Sequence, residues 1–107
     1  YVDNWRRGRD YLFYDAPAVI LFHNSPYADA VDAAIACTYA MLAAESLGLG
    51  NTMIGGAPPI IQRNKALSKS LGIPEKNKAA VALIVGHPNV RFRKAVRRHF
   101  TSVNRIE

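Results

Sequence analysis

Two stretches of this chain concentrate the residue types that chemistry needs. The first is Ile54-Gly55-Gly56, which closes a short apolar run just ahead of Pro58 and Pro59. Consecutive glycines leave backbone N–H groups open to whatever lies above them. An amide there can donate to a ring nitrogen of a flat cofactor with no side chain intervening, and the same pair equally suits a plain tight turn. The second stretch is Arg91, Arg93, Lys94, Arg97 and Arg98, five cations in eight positions beyond the last strand-like segment. Arginine offers a planar fork that matches a phosphate. The cluster also suits a solvated tail or an RNA-binding arm, although Phe92 and Phe100 are too few to form a base-stacking platform.

Other chemistries find little support. No carboxylates pair at a spacing that suggests general acid–base work, and His23, His87 and His99 lie far apart with no partner at metal-ligand spacing. Cys37 is the single cysteine, so an internal disulfide or an all-cysteine metal site is ruled out. Its place on an apolar helix face reads as a small core residue rather than a nucleophile. Neither the dinucleotide fingerprint nor the P-loop pattern occurs. The expectation is therefore no catalytic side chain and no metal.

The elements that must position these stretches follow from punctuation and pattern. Ala18-Val19-Ile20-Leu21-Phe22, entered through Pro17, reads as a buried strand. Ser25 and Pro26 offer a helix cap and first position, with a start some residues later as the alternative; the helix itself spans about 29–47. Val31, Ile35, Thr38 and Leu42 recur there at helical spacing, with Ala34, Cys37 and Met41 widening the apolar face. Gly48 and Gly50 end it. Thr52-Met53-Ile54 reads as a short strand, Pro59–Leu71 as a second helix stopped by Gly72, and Ala79–Val85 as the second strong strand. Residues 89–107 form a basic tail with no helical stripe, and residues 1–13 a polar lead-in.

Composition narrows the partners. The chain has 107 residues, half of them hydrophobic and 21% charged, which fits one domain and excludes a disordered polymer. Its net charge of +6 is regional: residues 1–62 carry three basic and six acidic groups, residues 63–107 eleven basic and two acidic. Such a distribution fits a local anion at least as well as a nucleic-acid polymer. No uninterrupted apolar run approaches the roughly eighteen residues of a spanning helix, and Tyr1–Tyr11 does not resemble a signal peptide. A cytoplasmic, reducing setting is expected, with no membrane association.

In combination the motifs become recognisable. Asp32-Ala33-Ala34-Ile35-Ala36 through Met41-Leu42-Ala43-Ala44-Glu45-Ser46-Leu47-Gly48-Leu49-Gly50, then Met53-Ile54-Gly55-Gly56, resembles the central helix and flavin loop of the nitroreductase family. Leu71-Gly72-Ile73-Pro74-Glu75, Val81–Val85 and Gly86-His87-Pro88 resemble its closing helix, strand and Gly-Tyr-Pro-like turn, and Tyr14-Asp15-Ala16-Pro17-Ala18-Val19-Ile20 the entry to an earlier strand. The resemblance implies an α+β fold, a nitroreductase-like α/β sandwich with a mostly antiparallel sheet. It implies an FMN-dependent oxidoreductase that uses NAD(P)H to reduce nitroaromatics, quinones or similar electron-poor small molecules, working as an interlocked homodimer with FMN at the interface. By position, Ile54, Gly55 and Gly56 would face the isoalloxazine, with the Gly55 N–H toward N5. Arg97 and Arg98 would meet the FMN phosphate, helped by Arg93 and Lys94.

Two departures accompany the match. Gly55 stands where some members carry an acidic residue, so a nicotinamide or acceptor preference does not transfer. The family's Arg-rich N-terminal motif has no counterpart, because Arg6-Arg7-Gly8-Arg9 directly precedes Tyr14-Asp15-Ala16-Pro17 and sits too late. The expectation is that residues 1–107 are the C-terminal part of such a domain. A basic binding module for RNA or another anion, or a cofactor-free remnant of the flavin fold, are the competing readings.

Overall fold

The computed structural model describes residue 10 and residues 12–106. The Arg6-Arg7-Gly8-Arg9 segment and most of the 1–13 lead-in lie outside the described residues. Six elements follow in order: β1 (Ala18–Asn24), α1 (Ala30–Ser46), β2 (Gly50–Ile54), α2 (Ala57–Arg63), α3 (Lys65–Ser70) and β3 (Lys78–Gly86). The three strands form one antiparallel sheet in the order β1-β3-β2, so the last strand in sequence lies in the middle. Ala18 pairs with Val85 and Leu21 with Ala82 on one side, while Gly50 pairs with Gly86 and Ile54 with Ala82 on the other. A register shift between Phe22 and His23 offsets the end of β1.

The sheet is covered on both faces, which is why β3 reads as a continuous apolar run rather than an alternating one. On one face Val81 and Leu83 form a core with Ala33 and Cys37 of α1, joined by Phe22 and Met41. On the other, Leu21, Ile54 and Ala79 pack against Ala57, Ile61 and Ile73. Leu83, Ala82 and Cys37 are fully buried. The result is the α+β sandwich with an antiparallel sheet that the family resemblance implied.

The inner face of α1 differs from the expected one. Ala33 and Cys37 meet Val81 and Leu83 of the sheet and Ala44 is buried, so of the expected face Cys37 and Met41 do pack inward, whereas Val31, Ile35 and Leu42 are 56%, 50% and 64% exposed. The bulky stripe has helical spacing but points outward. Small inward side chains let the helix axis approach the sheet closely, and the larger ones are left on the far side. The helix starts at Ala30, capped by Asp29, whose side chain accepts from the Val31 N–H at 2.9 Å; Ser25 instead closes a turn onto Ala28. At the other end Gly48 takes φ +75° and Leu49 donates back to the Ala44 carbonyl, which completes the stop.

The expected single helix over Pro59–Leu71 is two. Asn64 breaks it with extended backbone (φ −103°, ψ 94°), and its side chain accepts from the Leu67 N–H at 3.0 Å, capping α3. An asparagine competes for local amides better than it propagates a helix, so the break falls there. Ser68 Oγ donates to the Ile61 carbonyl at 2.8 Å and holds the two pieces together, while Gln62 Oε1 accepts from the Ala79 N–H at 2.8 Å and ties α2 to the start of β3.

Ahead of β1, Asp10 organises a turn. Its Oδ1 accepts from the N–H groups of Leu12 and Phe13 at 2.9 and 2.8 Å, and Oδ2 accepts from Asp15 at 3.2 Å. Tyr14 and Asp15 both adopt left-handed backbone, φ 53° and 57°. The Phe13 amide, seconded by those of Leu12 and Asp15 against a desolvation cost, holds the Asp10 carboxyl below its usual range.

Two substitutions test this packing by urea denaturation. Leu83→Ala should lower stability by about 2–5 kcal/mol, because it empties a fully buried site. Gly86→Ala should change stability by no more than about 1 kcal/mol, since a Cβ there would meet the Pro17 ring at 3.0 Å and that exposed ring can shift by a few tenths of an ångström.

Candidate functional site

β2 climbs from Gly50 to Ile54 along the edge of the sheet and delivers Gly55 and Gly56 to its upper end. The flanks of this loop are anchored: Ile54 is half-buried in the core under α2, and Ala57 and Pro58 are buried. Gly55 and Gly56 themselves are exposed. A Cβ added at either would have nothing within 4 Å, and neither has the positive φ that demands glycine. The fold therefore requires glycine at neither position. Their effect is to leave bare backbone at a rigidly held strand end, a surface onto which a flat ring can be laid.

The cations are elsewhere. From Gly86 the chain leaves the lower end of the sheet, where Gly86 pairs with Gly50. Ile54 lies four residues up β2 from that pairing, about 14 Å away along the strand. Arg93, Lys94, Arg97 and Arg98 are exposed on a tail without regular structure. The structure thus brings Ile54, Gly55 and Gly56 together and leaves the four cations apart from them. Reach is no obstacle. Arg97 lies eleven residues past Gly86, up to about 36 Å of extended chain. An extended tail also fits the radius of gyration of 17.0 Å, well above the roughly 13 Å of a compact domain this size.

A cavity of about 740 Å³ opens where the tail departs, between Glu45, Gly48, Thr52, Ile84, Pro88 and Phe92. It sits at the lower end of the sheet, not at the glycine loop. His23 lies at the register shift near the upper end of β1, its Nδ1 2.9 Å from the Asn77 side-chain nitrogen, and His87 and His99 are exposed at separate places. Among the described residues no three His, Cys, Asp or Glu groups gather as a metal site, and no helix is long and apolar enough to cross a membrane. Cys37 is buried in the α1 core, and desolvation pushes its thiol pKa up. The Asp10 turn was not anticipated, though an Asp ahead of the Tyr14-Asp15-Ala16-Pro17 stretch is the residue type that captures nearby amides.

A two-faced α+β sandwich with a central antiparallel strand and an open glycine loop at one strand end narrows the class before any comparison is made. The nitroreductase family model matches residues 1–87, and the chain belongs to the nitroreductase family. A nitroreductase with bound FMN from Bacteroides fragilis shares the fold at TM-score 0.76 and 24% identity, over 96% of this chain and 59% of that one. A second, also with bound FMN, from Desulfitobacterium hafniense, gives TM-score 0.69 and 32% identity over 97% of this chain and 59% of that one. An NADPH-flavin oxidoreductase of Vibrio harveyi is 40% identical over 62 residues, 56% of this chain and 24% of its own length. The chain thus spans about 59% of those two solved structures and about a quarter of that curated relative.

The buried thiol gives a check on the α1 core that is independent of any ligand. Cys37 should resist alkylation by iodoacetamide in the native chain and react readily in urea; fast native labelling would place it outside the core.

Proposed function

We propose that residues 1–107 form the C-terminal part of an FMN-dependent oxidoreductase domain that uses NAD(P)H to reduce nitroaromatics, quinones or similar electron-poor small molecules. The observation that carries this reading is the Gly55–Gly56 loop, two glycines that neither backbone conformation nor packing requires, held open at a strand end in a chain of this family. The residues present fit a flat ring. Backbone amides can donate in its plane, and no side chain obstructs its approach. FMN, when bound, supplies the hydride chemistry, so the protein needs no nucleophile of its own.

In this reading Ile54 and Ala57 fix the height of the loop, and the Gly55 N–H would be the donor toward flavin N5. The Gly56 backbone widens the platform. Arg97 and Arg98 would neutralise the phosphate, with Arg93 and Lys94 adding charge, and the length of chain beyond Gly86 is enough for them to reach it. The working form is a homodimer with the cofactor at the interface, in the cytoplasm. The acidic first part of the chain and the shortage of stacking aromatics weigh against nucleic acid as the partner of the basic tail.

The test is titration of the chain with FMN, followed by flavin absorbance and fluorescence. Gly55→Val should weaken binding at least tenfold, while Gly55→Ala should change stability by no more than about 0.5 kcal/mol, because the space above is open. Replacing Arg97 and Arg98 with alanine should also weaken FMN about tenfold or more without loss of fold, as expected for lost charge-assisted bonds. A folded chain that neither carries nor takes up FMN would favour the cofactor-free reading. RNA binding that weakens steeply with salt would favour the binding module.

A further inference from the structure

We infer that Asp10 is a positioning residue for the Gly55–Gly56 loop, acting through the turn that it holds. The observations form a chain of contacts. Both carboxylate oxygens of Asp10 are engaged, two backbone amides on Oδ1 and one on Oδ2. These bonds enclose Tyr14 and Asp15, two consecutive non-glycine residues in left-handed backbone. Left to itself such a pair relaxes, since L side chains disfavour that region. The carboxylate offsets the strain, and the Ala16 N–H donating to the Phe13 carbonyl at 3.0 Å closes the turn.

What the turn presents inward is Leu12 and Phe13. Both pack against the core of Ala57, Ile61 and Ile73, the same core that receives Ile54. Ile54 immediately precedes Gly55 and Ala57 immediately follows Gly56. The glycine loop is therefore suspended between two anchors whose outer wall is the Asp10 turn. Its own glycines have no side chains with which to hold themselves, so their order is borrowed from these neighbours. α1 packs on the opposite face of the sheet, against a separate core. Loss of the Asp10 bonds should therefore loosen the loop and α2 before it loosens α1.

The consequence for cofactor binding rests on the FMN reading above; the positioning role does not. Amide exchange and ¹⁵N relaxation of the full chain test the role without any ligand. In Asp10→Ala, exchange protection at Ile61 and Gln62 should fall about tenfold and the Gly55 and Gly56 amides should lose order, while Cys37 and Thr38 keep their protection. Asp10→Asn, which can still accept at Oδ1 but offers no second acceptor, should fall between the two. Tyr14→Gly and Asp15→Gly together in the Asp10→Ala background should restore loop order, because the left-handed backbone then needs no support. An unchanged loop, an equal loss in α1, or no rescue by the glycines would overturn the proposal. FMN titration of the same variants separates the two ideas. A tenfold weaker FMN affinity in Asp10→Ala joins them, whereas a wild-type chain that binds no FMN yet shows the loop effect leaves the positioning role standing and removes the cofactor reading.

Discussion

A strand buried on both faces has no water to turn to, so its backbone must find hydrogen-bond partners along both edges. β3 meets that demand through β1 on one side and β2 on the other, and every other element is placed by the arrangement. Because β1 and β2 both run antiparallel to β3, the connection through α1 must cross one face of the sheet. The connection from β2 to β3 then uses α2 and α3 to close the other face. Ala82 and Leu83 sit at the centre of this construction, fully buried, and the pairing of Ala82 with both Leu21 and Ile54 sets the height at which the glycine loop emerges. The position of the glycine loop is in this sense a product of strand register.

Much of this was legible in the residues. Pro17 and Gly86 bracket their strands, and the unbroken apolar run of β3 told of burial on two sides; the same reading of Ala18–Phe22 fails, because β1 lies at the edge of the described sheet and leaves Val19 and Ile20 42% and 44% exposed. Gly48 and Gly72 marked helix ends because both take positive φ. Ile54-Gly55-Gly56 stood out since paired glycines after a strand are costly to keep without a reason. Periodicity misled at α1, where the spacing of Val31, Ile35 and Leu42 specifies a stripe but not which surface it faces. Side-chain size decides that, and the size rule favoured the alanines and Cys37. The break at Asn64 was hidden because the decisive event is a local contest for the Leu67 amide, invisible to a hydrophobic pattern. The separation of the basic tail from the glycine loop was likewise unreadable, as it depends on which end of the sheet each segment leaves.

That separation shapes how the site must be understood. On the proposed flavin reading, a glycine platform at one end and a cluster of cations on an exposed tail at the other would divide recognition between the sheet and the tail. The loop would supply geometry, because its flanks are buried. The tail would supply charge, whose attraction tolerates imprecise placement over several ångströms. On that reading the flat ring would fall to the loop and the phosphate to the tail.

The outward set of α1 has a consequence of a different kind. A helix that turns alanines and a cysteine inward and its valine, isoleucine and leucine outward reverses the usual map of mutational tolerance. At Ala33, Cys37 and Ala44 the sequence has almost no room to vary upward in size, because the spacing between helix and sheet is set by the smallest side chains in it. At Val31, Ile35 and Leu42 the chain alone imposes no such limit. Any conservation at those three positions would therefore record a demand from outside this fold, and the two faces of one helix would keep separate accounts of what the chain requires of itself and what its surroundings require of it.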